Sequence, residues 1–306
     1  MPARRRSGGR PPGRSRSETG PVAFPAVPPV GIVGAGRAGL GLAVALRRAR
    51  IALLGVHGRR ERPMPAGVRL SVGPVPPWLG EAGVVVLAVP DDALPGCAAE
   101  LARAGGPAAG AAVLHLSGAL ASDVLAPLAA RGAATGSMHP LVAFGPDPAA
   151  AARQLAGAAF ALEGELAAVG VADAIVRRIG GTPVTLPPEL KPRYHAGAVF
   201  ASNYLVGLVA AAARLLESTG MGAETALGAL LPLVRATVAN VEAVGPAAAL
   251  TGPIARGDAA TVRRHLMALS HADADLYKAV GRETLRLARK AGLEAAKAER
   301  IEALLR

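Results

Sequence analysis

Val30-Gly31-Ile32-Val33-Gly34-Ala35-Gly36-Arg37-Ala38-Gly39 is the stretch on which the reading of this chain turns. A short apolar strand, Val30–Val33, runs straight into three spaced glycines. Each glycine has a separate physical task. Gly34 permits a tight turn, Gly36 lets backbone approach a bound group, and Gly39 lets a helix lie close to the strand. Leu40–Arg50 follows with Leu and Ala at helical spacing, and Ile51–Val56 is the next apolar run. Strand, glycine turn, helix and strand make a βαβ unit. The start of its helix carries unpaired amides and the positive end of the dipole, which suits an anion.

Outward from that unit, Val68–Leu70, Val84–Val89, Val113–Leu116, Ala133–Met138, Ala159–Leu162 and Pro183–Leu186 read as further strands. Val84–Val89 is nearly continuous in apolar β-formers, as expected for a parallel strand covered on both faces. Pro187-Pro188 then interrupts the chain. The expected organisation is a disordered basic tail over 1–29, an α/β Rossmann domain over 30–187 and a helical domain over 188–306. In such a fold the glycine turn receives the diphosphate of a dinucleotide, at Gly34, Ala35, Gly36, Arg37, Ala38 and Gly39, and Val89 and Pro90 line the same cleft. The end of the second strand faces the adenosine ribose. It reads Val56-His57-Gly58-Arg59-Arg60, with no acid before Glu61. Arg59 suits a 2′-phosphate bidentately and Arg60 supports it, so NADP is expected over NAD. Asp91 or Asp92 is expected to cap the helix after Pro90.

Composition narrows the rest. Hydrophobic residues are 51% and charged residues 18%, which excludes global disorder; aromatics at 3% leave Ala, Leu and Val to fill the cores. Net charge is +12, concentrated at the ends: residues 1–20 carry six arginines and one glutamate, and residues 277–306 carry eight basic and four acidic side chains. No aromatics are interleaved with this charge, so nucleic acid is not an expected partner. Cys97 is the single cysteine, which excludes an intramolecular disulfide and multi-cysteine metal sites. No His or acid cluster has the spacing of a metal site. Prolines at 21, 25, 28 and 29 break the apolar stretch that follows the basic start, which argues against an export signal. Ala196–Ala213 is apolar but interrupted by Ser202, Asn203 and Tyr204, and reads as a buried helix, not a membrane span. A cytoplasmic protein is expected.

Several polar residues stand out as candidates for chemistry. His115 and Ser117 flank the end of the fifth strand, where ligands bind in doubly wound sheets. Ser117 suits a hydrogen bond to nicotinamide or substrate; a local turn bond is the competing role. His139, held extended by Pro140, suits proton donation to a reduced oxygen or nitrogen, or a structural turn. Tyr194–Glu217 reads as one helix ending near Gly220. On it His195, Ser202 and Asn203 share roughly one face among small residues, facing either substrate or internal packing. Ala223–Asn240 is a further helix, in which a kink or a break is expected at Pro232. Arg256 and Asp258 lie in a turn, where Arg256 suits a carboxylate ligand or a salt bridge with Asp258. The last helices are expected at Asp258–Ser270 and Ala272–Leu305.

The stretches VGIVGAGRAGLGLAVAL, VVLAVPDDAL, HLSGAL, GSMHPLVAF, YHAGAVFASNYLV and LTGPIARGD together resemble the Rossmann-like and DUF2520 domain-containing proteins. These are relatives of the 6-phosphogluconate dehydrogenase-like and pyrroline-5-carboxylate reductase-like oxidoreductases. The resemblance runs from Val30 to about Leu293. It implies a Rossmann domain followed by an all-helical domain of the 6-phosphogluconate dehydrogenase C-terminal type, which often forms a dimer contact and completes the active site. Ser117 matches the serine region of related hydroxyacid dehydrogenases, and His139-Pro140 resembles the His-Pro segment of prephenate dehydrogenases. The helical lysine that precedes the asparagine by four residues in the former group is missing, because Val199 stands four before Asn203.

The expected protein is an NADP-dependent oxidoreductase, a homodimer through its helical domain. It transfers a hydride to or from a small C=O/CH–OH or C=N/CH–NH substrate, with Ser117, His139, His195 and Asn203 at the reacting end. Two rivals remain: a non-catalytic NADP-binding sensor or partner-binding protein, and an oxidoreductase using another redox cofactor such as F420.

Overall fold

The computed structural model describes residues 26–306. The expected tail therefore lies outside the described residues except for its last four. Of these, Val27 packs on the core and the Pro29 carbonyl accepts the Gly83 and Val84 amides, so ordered contacts begin ahead of the first strand.

Eight strands form one sheet: β1 Val30–Val33, β2 Leu53–Gly58, β3 Leu70–Val72, β4 Val84–Leu87, β5 Ala112–His115, β6 Ala134–Pro140, β7 Ala159–Gly164 and β8 Thr182–Thr185. Their spatial order is β3-β2-β1-β4-β5-β6-β7-β8, with every pair parallel except β6 with β7. The chain winds outward from β1 in both directions. The switch point between β1 and β4 is where a crevice opens at the strand ends.

Helices α1 Arg37–Arg48, α2 Leu94–Arg103, α3 Ala126–Ala129, α4 Pro148–Leu155 and α5 Leu166–Arg178 cover the two faces. Alternation along β4 explains its apolar run. Val84 and Val86 face a core with Leu42, Leu46 and Phe160, while Val85 and Leu87 face another with Trp78, Leu94 and Leu101.

Helix α6, Lys191–Ala201, comes next. The chain divides into compact units between Ala198 and Val199, beyond the Pro187-Pro188 break. The reason is chemical. Lys191, at the start of α6, is 1% exposed and hydrogen-bonded to the Ser117 carbonyl and the Ser137 hydroxyl, which ties the first turns of the helix to the sheet.

The second unit is helical: α7 Asn203–Glu217, α8 Ala223–Ala249, α9 Pro253–Arg256, α10 Ala259–Ala268, α11 His271–Lys290 and α12 Ala295–Leu305. Its buried core is small, centred on Ile254, Val262, Leu285, Ile301 and Leu305. The single helix expected over Tyr194–Glu217 is instead two, because Ser202 leaves helical backbone (φ −121°, ψ −73°). Helix α8 runs through Pro232 and breaks only at Gly245 (φ 78°). The long last helix is interrupted at Gly292 (φ 95°).

The segment Ala196–Ala213 is not the buried helix that its composition suggests. Of its residues only Ala213 is buried, and Phe200, Val206, Leu233 and Val244 of this unit are exposed. Residues 188–217 and 223–256 are long and apolar enough to cross a membrane by length and composition, with mean hydropathies of 1.6 and 1.4.

Candidate functional site

The glycine turn has the geometry that its sequence demands. Gly34 lies at φ 117°, and a Cβ there would sit 2.2 Å from the Ala88 carbonyl oxygen on the neighbouring strand end. A Cβ on Gly39 would sit 1.9 Å from the Gly34 oxygen, so only glycine lets α1 start this close to β1. Gly36 is different. Nothing lies within 4 Å of its would-be Cβ, and its backbone is extended (φ −77°, ψ −174°). Gly36 is the N-cap of α1 and offers no side-chain cap, and the first turn holds no acid. Arg37 is exposed, Ala38 half-buried and Gly39 buried.

A cavity of about 910 Å³ opens at this point, lined by Gly34, Ala35, Gly36, Val89 and Pro90, and on its β2 side by Gly58, Arg59, Arg60 and Arg62. Its size lies in the range of small-molecule and cofactor sites. Arg62 also donates to the Ala35 carbonyl of the glycine turn, a contact that sequence reasoning missed. Two carboxylates, Glu61 and Glu100, line the cavity as well. His57 is hydrogen-bonded to Ser71 Oγ and the Gly73 carbonyl at 3.0 Å each, with its pKa lowered by burial. Burial and nearby Glu100 push the Cys97 thiol up to about 11, so it stays protonated and unreactive.

A second constellation sits at the ends of β5 and β6. His115 is fully buried. Its Nδ1 accepts the Ser117 amide at 3.1 Å, which leaves the proton on Nε2 to donate to the Ala121 carbonyl at 3.2 Å. Burial, then the charge of Lys191, brings its pKa down to about 4. It is a structural histidine. Ser117 Oγ accepts the Ala119 and Leu120 amides at 3.2 and 3.0 Å, so it holds a local turn and keeps only its proton to donate.

His139 and His195 come together. Their rings meet edge to face with centroids 5.9 Å apart, and Tyr194 Oη lies 3.0 Å from His139 Nδ1. Gly118 forms the floor: a Cβ there would lie 2.8 Å from His139 Nε2 and 2.7 Å from His195 Cδ2. Burial, then His195, then Lys191 lowers the His139 pKa to about 4. At neutral pH this imidazole is therefore uncharged. It can donate a hydrogen bond but is not a standing acid, and that narrows the role its sequence position suggested.

Behind this pair lies a buried ionic group. Lys191 Nζ donates to Ser137 Oγ at 2.6 Å and to the Ser117 carbonyl at 3.2 Å, and stands 3.8 Å from Glu163 Oε2. Ser137 in turn donates to Glu163 at 3.1 Å, and Ser122 donates to Glu163 through its hydroxyl at 2.6 Å. Glu163 is 5% exposed. Sequence reasoning passed over both ions. A signal existed: the chain has 34 basic residues, and Lys191 is one of only four lysines, alone outside the C-terminal helices.

Asn203 belongs to the second unit, where its Oδ1 accepts the Ser202 hydroxyl at 2.9 Å. The break at Ser202 removes the shared helical face expected for His195, Ser202 and Asn203. Asp258 caps α10 through the Thr261 amide, and that bond, more than any charge, lowers its pKa. It forms no ion pair with Arg256 at salt-bridge distance. Among the described residues no group of three or more metal-ligating side chains occurs.

Comparison with known proteins agrees with this architecture. Residues 17–140 match the Rossmann-like domain, and residues 158–284 match DUF2520, a domain of unknown function. No curated protein sequence matches the chain. Among solved structures, a protein from Thermotoga maritima superimposes with TM-score 0.65 at 22% identity, over 85% of this chain and 98% of its own. A Bacteroides fragilis protein provisionally assigned as an NADP oxidoreductase gives 0.64 at 21%, over 86% and 97%. A pyrroline-5-carboxylate reductase from Coxiella burnetii gives 0.54 at 16%, over 91% and 98%. At these identities the likeness establishes the fold. In sequence the chain thus matches a Rossmann-like domain followed by a DUF2520 domain.

Proposed function

We propose that the protein is an NADP-dependent oxidoreductase that transfers a hydride to or from a small C=O/CH–OH or C=N/CH–NH substrate. The observation that carries this reading is the uncapped start of α1 at Gly36, opening onto a cavity flanked by Arg59, Arg60 and Arg62. The amides of that turn suit a diphosphate, and the arginines suit a 2′-phosphate. Glu61 and Glu100 disfavour a phosphate, but three guanidiniums outnumber them. The similar folds of the Bacteroides NADP oxidoreductase, of the Coxiella reductase and of a Plasmodium falciparum pyrroline carboxylate reductase solved with NADP bound (TM-score 0.53) support the same reading.

NADPH supplies the hydride when bound. The protein's part is to receive the charge that develops on the substrate oxygen or nitrogen. With the Tyr194 hydroxyl donating to Nδ1, the proton of neutral His139 sits on Nε2, above Gly118, where it donates to that atom. Tyr194 keeps its proton, because burial raises its pKa, and so remains a donor to His139. The Ser117 hydroxyl and His195 complete the proposed substrate site within the first unit.

The test is cofactor binding with hydride transfer to a panel of oxo acids and cyclic imines. The parent chain should bind NADPH more tightly than NADH. Arg59→Ala should weaken NADPH by about ten- to a hundredfold, the cost of one charge-assisted pair, and leave NADH unchanged. Unchanged NADPH affinity in that variant contradicts the assignment.

The exposed apolar surface of α7 and α8 has a role in the same proposal: a second copy of the chain covers it, making a homodimer. Sedimentation velocity at micromolar concentration should give twice the chain mass, and Val206→Glu/Leu233→Glu should return the single-chain value. A single-chain mass for the parent protein rejects the dimer.

A further inference from the structure

We propose that Lys191 is a positioning residue: its ammonium seats the Gly118 turn against the His139–His195 ring pair and holds a fixed positive charge behind it. The proposal rests, for its bearing on catalysis, on the placing of His139 at the reacting end. Its geometry stands independently.

Lysine is almost never fully buried without partners. Lys191 reaches inward from α6 and joins three segments at one atom. Nζ holds the carbonyl of Ser117, immediately before Gly118; the hydroxyl of Ser137, two residues before His139 on β6; and, at longer range, Glu163 on β7. Ser137 and Glu163 are register partners across β6 and β7, and His139 pairs with Ala161 on the same ladder. The ammonium therefore fixes both walls of the narrow space in which Gly118 meets the imidazoles. The next residues of α6 after its first turn are Tyr194 and His195, so one helix end delivers the anchor, the phenol and the second ring.

The charged and titratable groups around His139 are few. Lys191, Tyr194 and His195 come from α6, His115 from β5, Asp91 from the turn after β4, and Glu163 from β7. Glu163 is engaged by Ser122 and Ser137 as well as by Lys191. Lys191 and His195 oppose a proton on His139, and Asp91 favours one. Lys191 thus acts in two ways: it places the ring, and it keeps the ring a neutral donor.

NMR on the full chain, without cofactor or substrate, separates this role from simple packing. In the parent protein the Lys191 side-chain 15N resonance should shift at the same acidic midpoint as the His139 ring, since each senses the other's charge. Lys191→Met/Glu163→Gln removes both ions together and leaves no unpaired charge. It should raise the His139 midpoint by about half a pH unit or more, while Lys191→Arg, which keeps the charge, should leave it near the parent value. In turnover assays the double variant should lower kcat with KM for NADPH unchanged. Independent titration of Lys191 and His139 in the parent chain, or a His139 midpoint unmoved in a folded double variant, overturns the proposal. Because the titrations need no nucleotide, failure of NADP binding leaves them interpretable.

Discussion

Gly36→Val is expected to fold as the parent chain does and to lose NADPH binding by at least about a hundredfold. The two halves of this result have separate causes. Gly36 is exposed, its would-be Cβ meets nothing within 4 Å, and its extended backbone is one that β-branched residues favour. Valine is a poorer N-cap than glycine, so a loss of about 1 kcal/mol, a few degrees in Tm, is the most that folding should show. The open space next to Gly36 is, in the proposed function, the seat of the diphosphate. An isopropyl group there separates the anion from the first amides of α1. Hydrogen bonds to a charged group contribute about 1.5–3 kcal/mol each, and losing two accounts for the hundredfold.

Gly39→Val provides the contrast. Its Cβ would fall 1.9 Å from the Gly34 oxygen, which is backbone and cannot yield, so that variant should fail to fold. Tryptophan fluorescence of Trp78 and NADPH titration read both variants. A Gly36→Val protein that binds NADPH as tightly as its parent would place the diphosphate elsewhere and remove the basis of the proposed function.

The second large effect is in acid. His115 and His139 both titrate near 4 in the folded chain, against an ordinary value of 6.5. Unfolded, they take protons near 6.5. Between pH 6.5 and 4 the unfolded chain therefore binds more protons, and stability must fall as pH falls through that window. Above pH 6.5 both rings are neutral in both states and the effect is absent. A tenfold difference in proton affinity between the two states is worth about 1.4 kcal/mol, so each histidine removes roughly 3 kcal/mol by pH 4, out of a total of about 5–15 for a typical domain.

Urea unfolding of the first unit should accordingly show its midpoint dropping steeply from about pH 6.5 downward. The depressed carboxylates Asp258, Asp273, Glu283 and Glu302 belong to the second unit, whose share of stability from them is lost only as pH falls through their own low values. His115→Gln tests the assignment. Glutamine can accept the Ser117 amide and donate to the Ala121 carbonyl, so it should preserve stability near pH 7 and remove about one proton from the slope. A slope unaltered in that variant would mean that His115 is not held neutral by the fold.

Much of this was legible from residue order alone, and the reason is local. A strand covered on both faces must be apolar at every position, and Val84–Leu87 is so; a turn at φ 117° needs glycine, and Gly34 supplies it. Periodicity with breakers also located most helices, but it failed at Ser202, because nothing in an apolar small-residue run marks where helical backbone will be abandoned. Burial was misjudged for Ala196–Ala213, since hydropathy records what a segment needs covered and not whether its own chain covers it.

Short-range stereochemistry thus settled the βαβ unit, the need for glycine at Gly34 and Gly39 and the arginine-rich end of β2, all of which depend on neighbours close by in the turn, the helix or the adjoining strand. Tertiary structure alone decided that Lys191, Ser137 and Glu163 meet, that Gly118 lies under two imidazoles, and that His139 is neutral. Those facts depend on distances between segments far apart in the chain, and on a dielectric environment that exists only once the sheet and α6 have closed around them.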